Sequence, residues 1–99
     1  MHYLLFYEKV PDYADREPPL RPAHLEHVMA AVARGQVVLG GPLTVPTDGS
    51  NVLLFKSDSA DAAEAFAAAD PFVKNGIVCR WHVRPWQTVV GKDAACPLK

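Results

Sequence analysis

A chain of 99 residues has the length of one domain, and a domain this short buries only part of its apolar surface, so pairing with a second copy is the expected route to further burial. Its 49% hydrophobic and 21% charged residues are those of a globular protein. A formal charge of -1 with no basic stripe excludes an electrostatic pull toward nucleic acid or anionic lipid.

The chain begins His2-Tyr3-Leu4-Leu5-Phe6-Tyr7 and meets Glu8 and Lys9, without a basic leader, an apolar signal core and a small-residue cleavage site, and a cytoplasmic protein is expected. Residues 2–10 are rich in aromatic and branched side chains and stop at Pro11, which predicts a first strand. Pro11 to Leu20 holds Pro11, Pro18, Pro19 and several acids and reads as a loop. Pro22 suits a first helical turn, and Leu25, Val28, Met29 and Val32 recur at i, i+3, i+4 and i+7 until Gly35, which predicts a helix with one buried apolar stripe.

Val37-Val38-Leu39 opens a second strand running into Gly40-Gly41-Pro42, read as a bend. After Pro46 and Asp48-Gly49-Ser50, Asn51 to Lys56 makes a third strand and closes a hairpin. Ser57-Asp58-Ser59 supplies N-cap candidates for the alanine-rich helix Ala60 to Ala69, whose large anchor is Phe66 and which Asp70-Pro71 ends. A short irregular piece leads to Gly76. Ile77 to Trp86 then alternates, with Ile77, Cys79, Trp81 and Val83 on one face and Val78, Arg80, His82 and Arg84 on the other. This is the fourth strand, and residues 87–99 are a tail. Cys79 and Cys96 are too few and too differently placed for a disulfide framework and read as free thiols.

The order β-α-β-β-α-β predicts an α+β, ferredoxin-like domain with a four-stranded antiparallel sheet and both helices on one face. If the first strand runs up, the start of the first helix with His24, the end of the second helix with Asp70, and the loop that follows Gly41-Pro42 all meet at the top. The free sheet face, carrying Arg80, His82 and Arg84, is left for solvent or a partner sheet.

His24 in a first helical turn feels the positive end of the macrodipole, which favours a neutral ring able to take a proton, and Asp70 can orient it if the two helix ends approach. Such a pair is the minimal apparatus for abstracting or relocating a proton. The residues alone leave a second reading open: an exposed helix histidine and a turn aspartate. Arg21, one turn earlier, is placed to clamp a substrate carboxylate where free backbone N–H groups also favour anions, or is an ordinary surface arginine. His24-Leu25-Glu26-His27 falls one residue short of the H-x-x-E-H zinc pattern and has no evident third ligand, so no metal is predicted. Without G-x-G-x-x-G, a P-loop or G-x-S-x-G, neither a nucleotide cofactor nor a serine nucleophile is expected.

Four segments in order, Arg21-Pro22-Ala23-His24-Leu25, Gly40-Gly41-Pro42, Ala69-Asp70-Pro71-Phe72-Val73 with Gly76, and Val83-Arg84-Pro85-Trp86, together resemble the YciI-like (YCII-related) family across nearly the whole chain. The resemblance implies a dimeric α/β barrel, two ferredoxin-like subunits packed through their open sheet faces, and an active site built on a His-Asp pair that maps onto His24 and Asp70. It also implies chemistry on a small molecule, since one characterised branch removes hydrogen chloride from chlorinated hydroxyquinols. The chain departs from the family in a longer proline-rich loop before the first helix, a shorter loop between the second and third strands, and a cysteine-containing tail.

The expectation is therefore a cofactor-independent lyase or isomerase, dehydrochlorinase-like chemistry included, acting on a small aromatic or carboxylated metabolite. His24 and Asp70 are the catalytic candidates, and Arg21, Gly41, Pro42, Phe72, Arg80 and His82 the substrate-binding ones. The alternative is a non-catalytic homodimer that binds a small ligand or serves as an accessory subunit.

Overall fold

The computed structural model describes residues 1–98; Lys99, the last residue of the expected tail, lies outside them. Eight elements follow in order: β1 (His2–Lys9), α1 (Tyr13–Arg16), α2 (Arg21–Ala33), β2 (Val37–Pro42), β3 (Asn51–Lys56), α3 (Asp61–Ala69), α4 (Pro71–Lys74) and β4 (Val78–Trp86). The strands form one antiparallel sheet in the order β2-β3-β1-β4, the ferredoxin-like arrangement. Two short helices are added to the expected six elements. The stretch read as a loop contains α1, and the irregular piece after Asp70 is α4, because Pro71 at a first helical position is preset for a helical turn.

Alternation along β1 puts Tyr3, Leu5 and Tyr7 into the core, where Leu53 and Phe55 of β3 join them. Ala63, Phe66 and Ala67 of α3 cover this face, the small alanines allowing close approach while Phe66 meets Phe55 edge-on at 5.4 Å between centroids. None of the three N-cap candidates takes the cap position of α3, which falls on Ala60 without a side-chain cap; Ser59 Oγ, one residue earlier, accepts from the Asp61 N–H.

Three local expectations are corrected. The stripe Leu25, Met29 and Val32 of α2 is not buried, the three being 50%, 60% and 39% exposed. The helix instead turns His24, His27, Val28 and Ala31 inward, one residue round from the apolar register. His27 Nε2 donates to the Phe66 carbonyl at 2.8 Å and stacks on the Phe66 ring, while His24 is tied to Asp70; these anchors set the rotation of the helix. In β4, a register shift opposite Glu8 and Lys9 buries Val78 and turns Cys79 out, contrary to the simple alternation that pairs Cys79 with Trp81 and Val83; the latter two still pack inward. Gly40-Gly41-Pro42 runs as paired strand, and the β2 irregularity falls between Val37 and Leu39 instead.

Both cysteines are exposed and free. Among the described residues no helix is long and apolar enough to cross a membrane.

Candidate active site

Asp70 sits where α3 stops. A residue before proline is driven to extended backbone, and Asp70 adopts φ -68° and ψ 126°, which breaks α3 and lets its own carboxylate cap α4 by accepting from the Phe72 N–H at 2.9 Å. The same oxygen, Oδ1, lies 2.8 Å from His24 Nδ1, and the second oxygen accepts from the Tyr7 hydroxyl at 2.8 Å. The carboxylate is fully buried, yet it has three donors. Burial pushes its pKa up, but the bond from His24, the Phe72 N–H, the charge of the imidazole and the Tyr7 hydroxyl outweigh burial and hold the carboxyl below its ordinary range. Tyr7 moves the other way: burial and the neighbouring Asp70 charge raise its phenol far above the usual value, so it remains a donor.

An ionised carboxylate only accepts hydrogen bonds, so Nδ1 of His24 carries a proton, and whenever the ring is neutral its lone pair is on Nε2. The imidazole lies flat on the Phe72 ring, with centroids 3.9 Å apart and planes 6° from parallel. Its rotation is thus fixed by one hydrogen bond and one stack.

His24 borders two adjoining cavities. One, of about 450 Å³, runs under α2 toward the β2 edge and is lined by Leu25, Val28, Met29, Val32 and Leu53 with Tyr7. The outward-rotated apolar stripe of α2 therefore faces a hollow. The other, of about 370 Å³, is bordered by Lys9, Glu17, Arg21, Thr47, Gly49 and Phe72. His24, Leu25, Pro42 and Asn51 line both and form the neck between them. A depression of about 580 Å³ lies where the tail meets the opposite end of β1, but its histidine, His2, has Nδ1 engaged by the Thr88 hydroxyl at 2.7 Å and no carboxylate hydrogen-bonded to it among the described residues.

The site brings together His24, Asp70, Arg21, Gly41, Pro42 and Phe72. Arg80 and His82 line neither cavity: alternation along β4 puts them on the other sheet face, where Arg80 approaches Glu8 at 3.8 Å and His82 stacks on Phe6. The free N–H groups expected at the start of α2 are mostly engaged, because the chain enters the helix from a preceding turn: the Arg21 and His24 N–H groups donate to the Glu17 and Leu20 carbonyls, and Pro22 has none. Sequence reasoning missed Tyr7, Lys9, Glu17 and Asn51. The signal for the first two was their inward parity in β1 at the end where the helix termini converge, since a buried tyrosine hydroxyl or lysine needs a partner there. Among the described residues no group of three or more metal-ligating side chains converges.

Residues 1–87 match the model of the YCII-related domain. The chain is similar to the protein YciI of Escherichia coli O6:H1, with 27% identity over 99 residues covering 90% of this chain and 99% of that one. It is likewise similar to an uncharacterised protein of Haemophilus influenzae, 26% identical over 98 residues, covering 90% and 99% of the two chains. Among solved structures it resembles the 5-chloro-2-hydroxyhydroquinone dehydrochlorinase TftG of Burkholderia phenoliruptrix AC1100 in complex with 2,5-dihydroxybenzoquinone. That match has a TM-score of 0.73 and 24% identity and covers 89% of this chain and 95% of that one, a likeness of fold.

Proposed function

The chain belongs to the YCII-related domain family, and from that premise we propose that it is a cofactor-independent enzyme that eliminates or relocates a proton on a small ring-shaped substrate, with His24 as general base and Asp70 as its orienter. The observation that carries the reading is the 2.8 Å bond between His24 Nδ1 and Asp70 Oδ1, which leaves Nε2 as the free base at the neck between two cavities. In a lyase step Nε2 takes a proton from a C–H or O–H of the substrate, the released electron pair forms the new double bond, and a leaving group such as chloride departs with its own bonding pair. The imidazolium so formed is stabilised by the Asp70 carboxylate. In an isomerase step the same nitrogen returns the proton to a neighbouring atom. Both balance without an oxidant or reductant. The dehydrochlorinase activity named for TftG is one instance of such chemistry and supports the class of reaction.

We further propose that the unit is a homodimer closed through the open sheet face. Leu4, Phe6, Val52 and Leu54 share that face by pairing register with the exposed Leu39 and Trp86, an apolar surface that a second sheet would cover.

The test is a turnover screen of halogenated and hydroxylated ring compounds by product mass. With a substrate in hand, His24→Ala is expected to lower kcat by about 10²–10⁴-fold. Asp70→Asn is expected to lower it as well, because an amide can donate to Nδ1 and stabilise the wrong tautomer. Unchanged turnover in both variants overturns the roles, and saturable binding with no product over long incubation favours a ligand-binding module.

A further inference from the structure

The cavity beside His24 that Lys9, Glu17 and Arg21 border has an unequal complement of charge. Glu17 is 10% exposed in its side chain and accepts from Lys9 Nζ at 2.7 Å; Lys9 is 8% exposed and lies 5.5 and 5.4 Å over the rings of Tyr13 and Phe72. This is a nearly buried ion pair, an arrangement whose desolvation cost makes it poor value for stability alone. Glu17 also meets Arg21, but through its other oxygen, at 3.4 Å, and the Arg21 side chain is half exposed. One carboxylate thus faces two cations. Lys9 is held in place, whereas Arg21 is loosely tethered and makes no other side-chain hydrogen bond among the described residues. Asp70 is buried behind His24 with its donors in place and does not line this cavity. Because the backbone donors at the start of α2 are mostly taken, a ligand's charge here is met by a side chain.

Resting on the reading of the His24 neck as a substrate site, we infer that the substrate is an organic anion with a ring-sized apolar body, its carboxylate paired with Arg21 in the cavity that Arg21 and Glu17 border and its body under the apolar stripe of α2. The planar guanidinium matches a carboxylate in two parallel hydrogen bonds, geometry that its long contact with Glu17 does not use. Glu17 then aims Arg21 into the cavity, and Lys9 neutralises Glu17 so that the arginine's charge is left for the ligand. A ligand spanning both cavities carries the bonds between its ring and its charged end past His24 at the neck, where proton abstraction next to a carboxylate-bearing carbon becomes possible.

The experiment compares benzoate with benzamide, which has the same shape and no charge, on the full chain. Binding is followed by calorimetry and by the NMR signals of the His24 ring, assigned with a His24→Gln variant. Benzoate is expected to bind about tenfold tighter than benzamide or better, to perturb the His24 signals, and to lose its advantage in Arg21→Gln while Arg21→Lys keeps part of it. Because Arg21 is half exposed, folding of these variants is checked directly by their circular dichroism. Equal binding of the two probes with His24 perturbed overturns the anion inference but leaves the His24 site standing. Binding of benzoate that bypasses His24 or ignores Arg21→Gln, or no binding of either probe, overturns the inference as well. The proton-transfer reading itself is decided separately by the turnover screen with His24→Ala.

Discussion

The hydroxyl of Tyr7 and the carboxylate of Asp70 meet at 2.8 Å in the core, 63 residues apart in sequence, and this bond joins β1, one of the two central strands, to the junction of α3 and α4. It occupies Oδ2, so that His24 and the Phe72 N–H share Oδ1. Tyr7→Phe is expected to cost about 2 kcal/mol in urea unfolding, since it strips one donor from a buried charge while leaving the ring's packing intact. His24 still reaches its oxygen in this variant. Activity on an identified substrate is therefore expected to fall less than in His24→Ala; a loss equal to that of His24→Ala would assign the Tyr7 hydroxyl a direct part in the chemistry.

Stability should depend on pH through Asp70. The carboxyl is held below its ordinary range in the folded chain, whereas in the unfolded chain it titrates near 3.9, so the unfolded state binds its proton first as pH falls. The stabilisation is fully present above that unfolded value and is lost progressively as the pH drops toward and through the lower folded value. In Asp70→Asn this component is absent. Urea midpoints measured from pH 6 downward are expected to fall more steeply below about pH 4 for the natural chain than for the variant; parallel curves would mean that other carboxylates govern the acid limb.

Much of this architecture was legible in the sequence because its signals are local. The aromatic and branched run of residues 2–10, the Asp70-Pro71 break and the β-α-β-β-α-β order pointed to the sheet, the helix ends and the His24–Asp70 encounter. The rotation of α2 was not legible. Leu25, Val28, Met29 and Val32 have the spacing of a buried stripe, and nothing in periodicity says that two histidines will outcompete all but Val28 for the core by finding a carboxylate and a carbonyl 46 and 39 residues away. The β4 bulge was hidden for a similar reason: it depends on register against Glu8 and Lys9 and not on β4 itself. Glu17 escaped because it lies in a proline-rich stretch whose helical turn is shaped by tertiary contacts.

The Lys9–Glu17 pair predicts a non-additive mutant cycle. Lys9→Met leaves Glu17 with only its long contact to Arg21, and Glu17→Leu leaves a lysine against two aromatic rings without its carboxylate. Each single change is expected to cost about 3–5 kcal/mol, while the double change, which removes both charges, costs less than either. Additive losses in urea unfolding would show that the two side chains act through packing and not through their charges.

Gly49 predicts a steric test of the cavity that it borders with Tyr13 and Lys9. Its φ is +87°, and an added Cβ would lie 2.7 Å from the Tyr13 ring, so Gly49→Ala combines an unfavourable backbone with a clash against α1. The expected loss is above about 1 kcal/mol. Tyr13 also flanks Lys9, so the NMR signals of both residues should shift together; a shift confined to Gly49 would mean that the loop moves away without disturbing the cavity.

The proposed dimer makes the sharpest demand on the surface. On the outward sheet face Phe6 of β1 pairs with Val52 of β3 and His82 of β4, and Leu4 pairs with Leu54 and Arg84, so apolar side chains fill the middle while charge gathers along β4. Leaving Leu39 and Trp86 exposed beside them costs roughly 25 cal/mol for each Å² of apolar surface kept in water, a cost that a twofold-related copy removes for both chains at once. Light scattering should therefore give twice the mass of one chain at micromolar concentration. Leu54→Asp sets an acid in the middle of that face without touching the residues buried between sheet and helices, and should yield a folded monomer. A natural chain that runs as a monomer, or a Leu54→Asp variant that stays dimeric, would move the interface elsewhere. Arg80 and His82 would then lose their reason for facing away from His24, because on the proposed face they meet the twin and not the substrate.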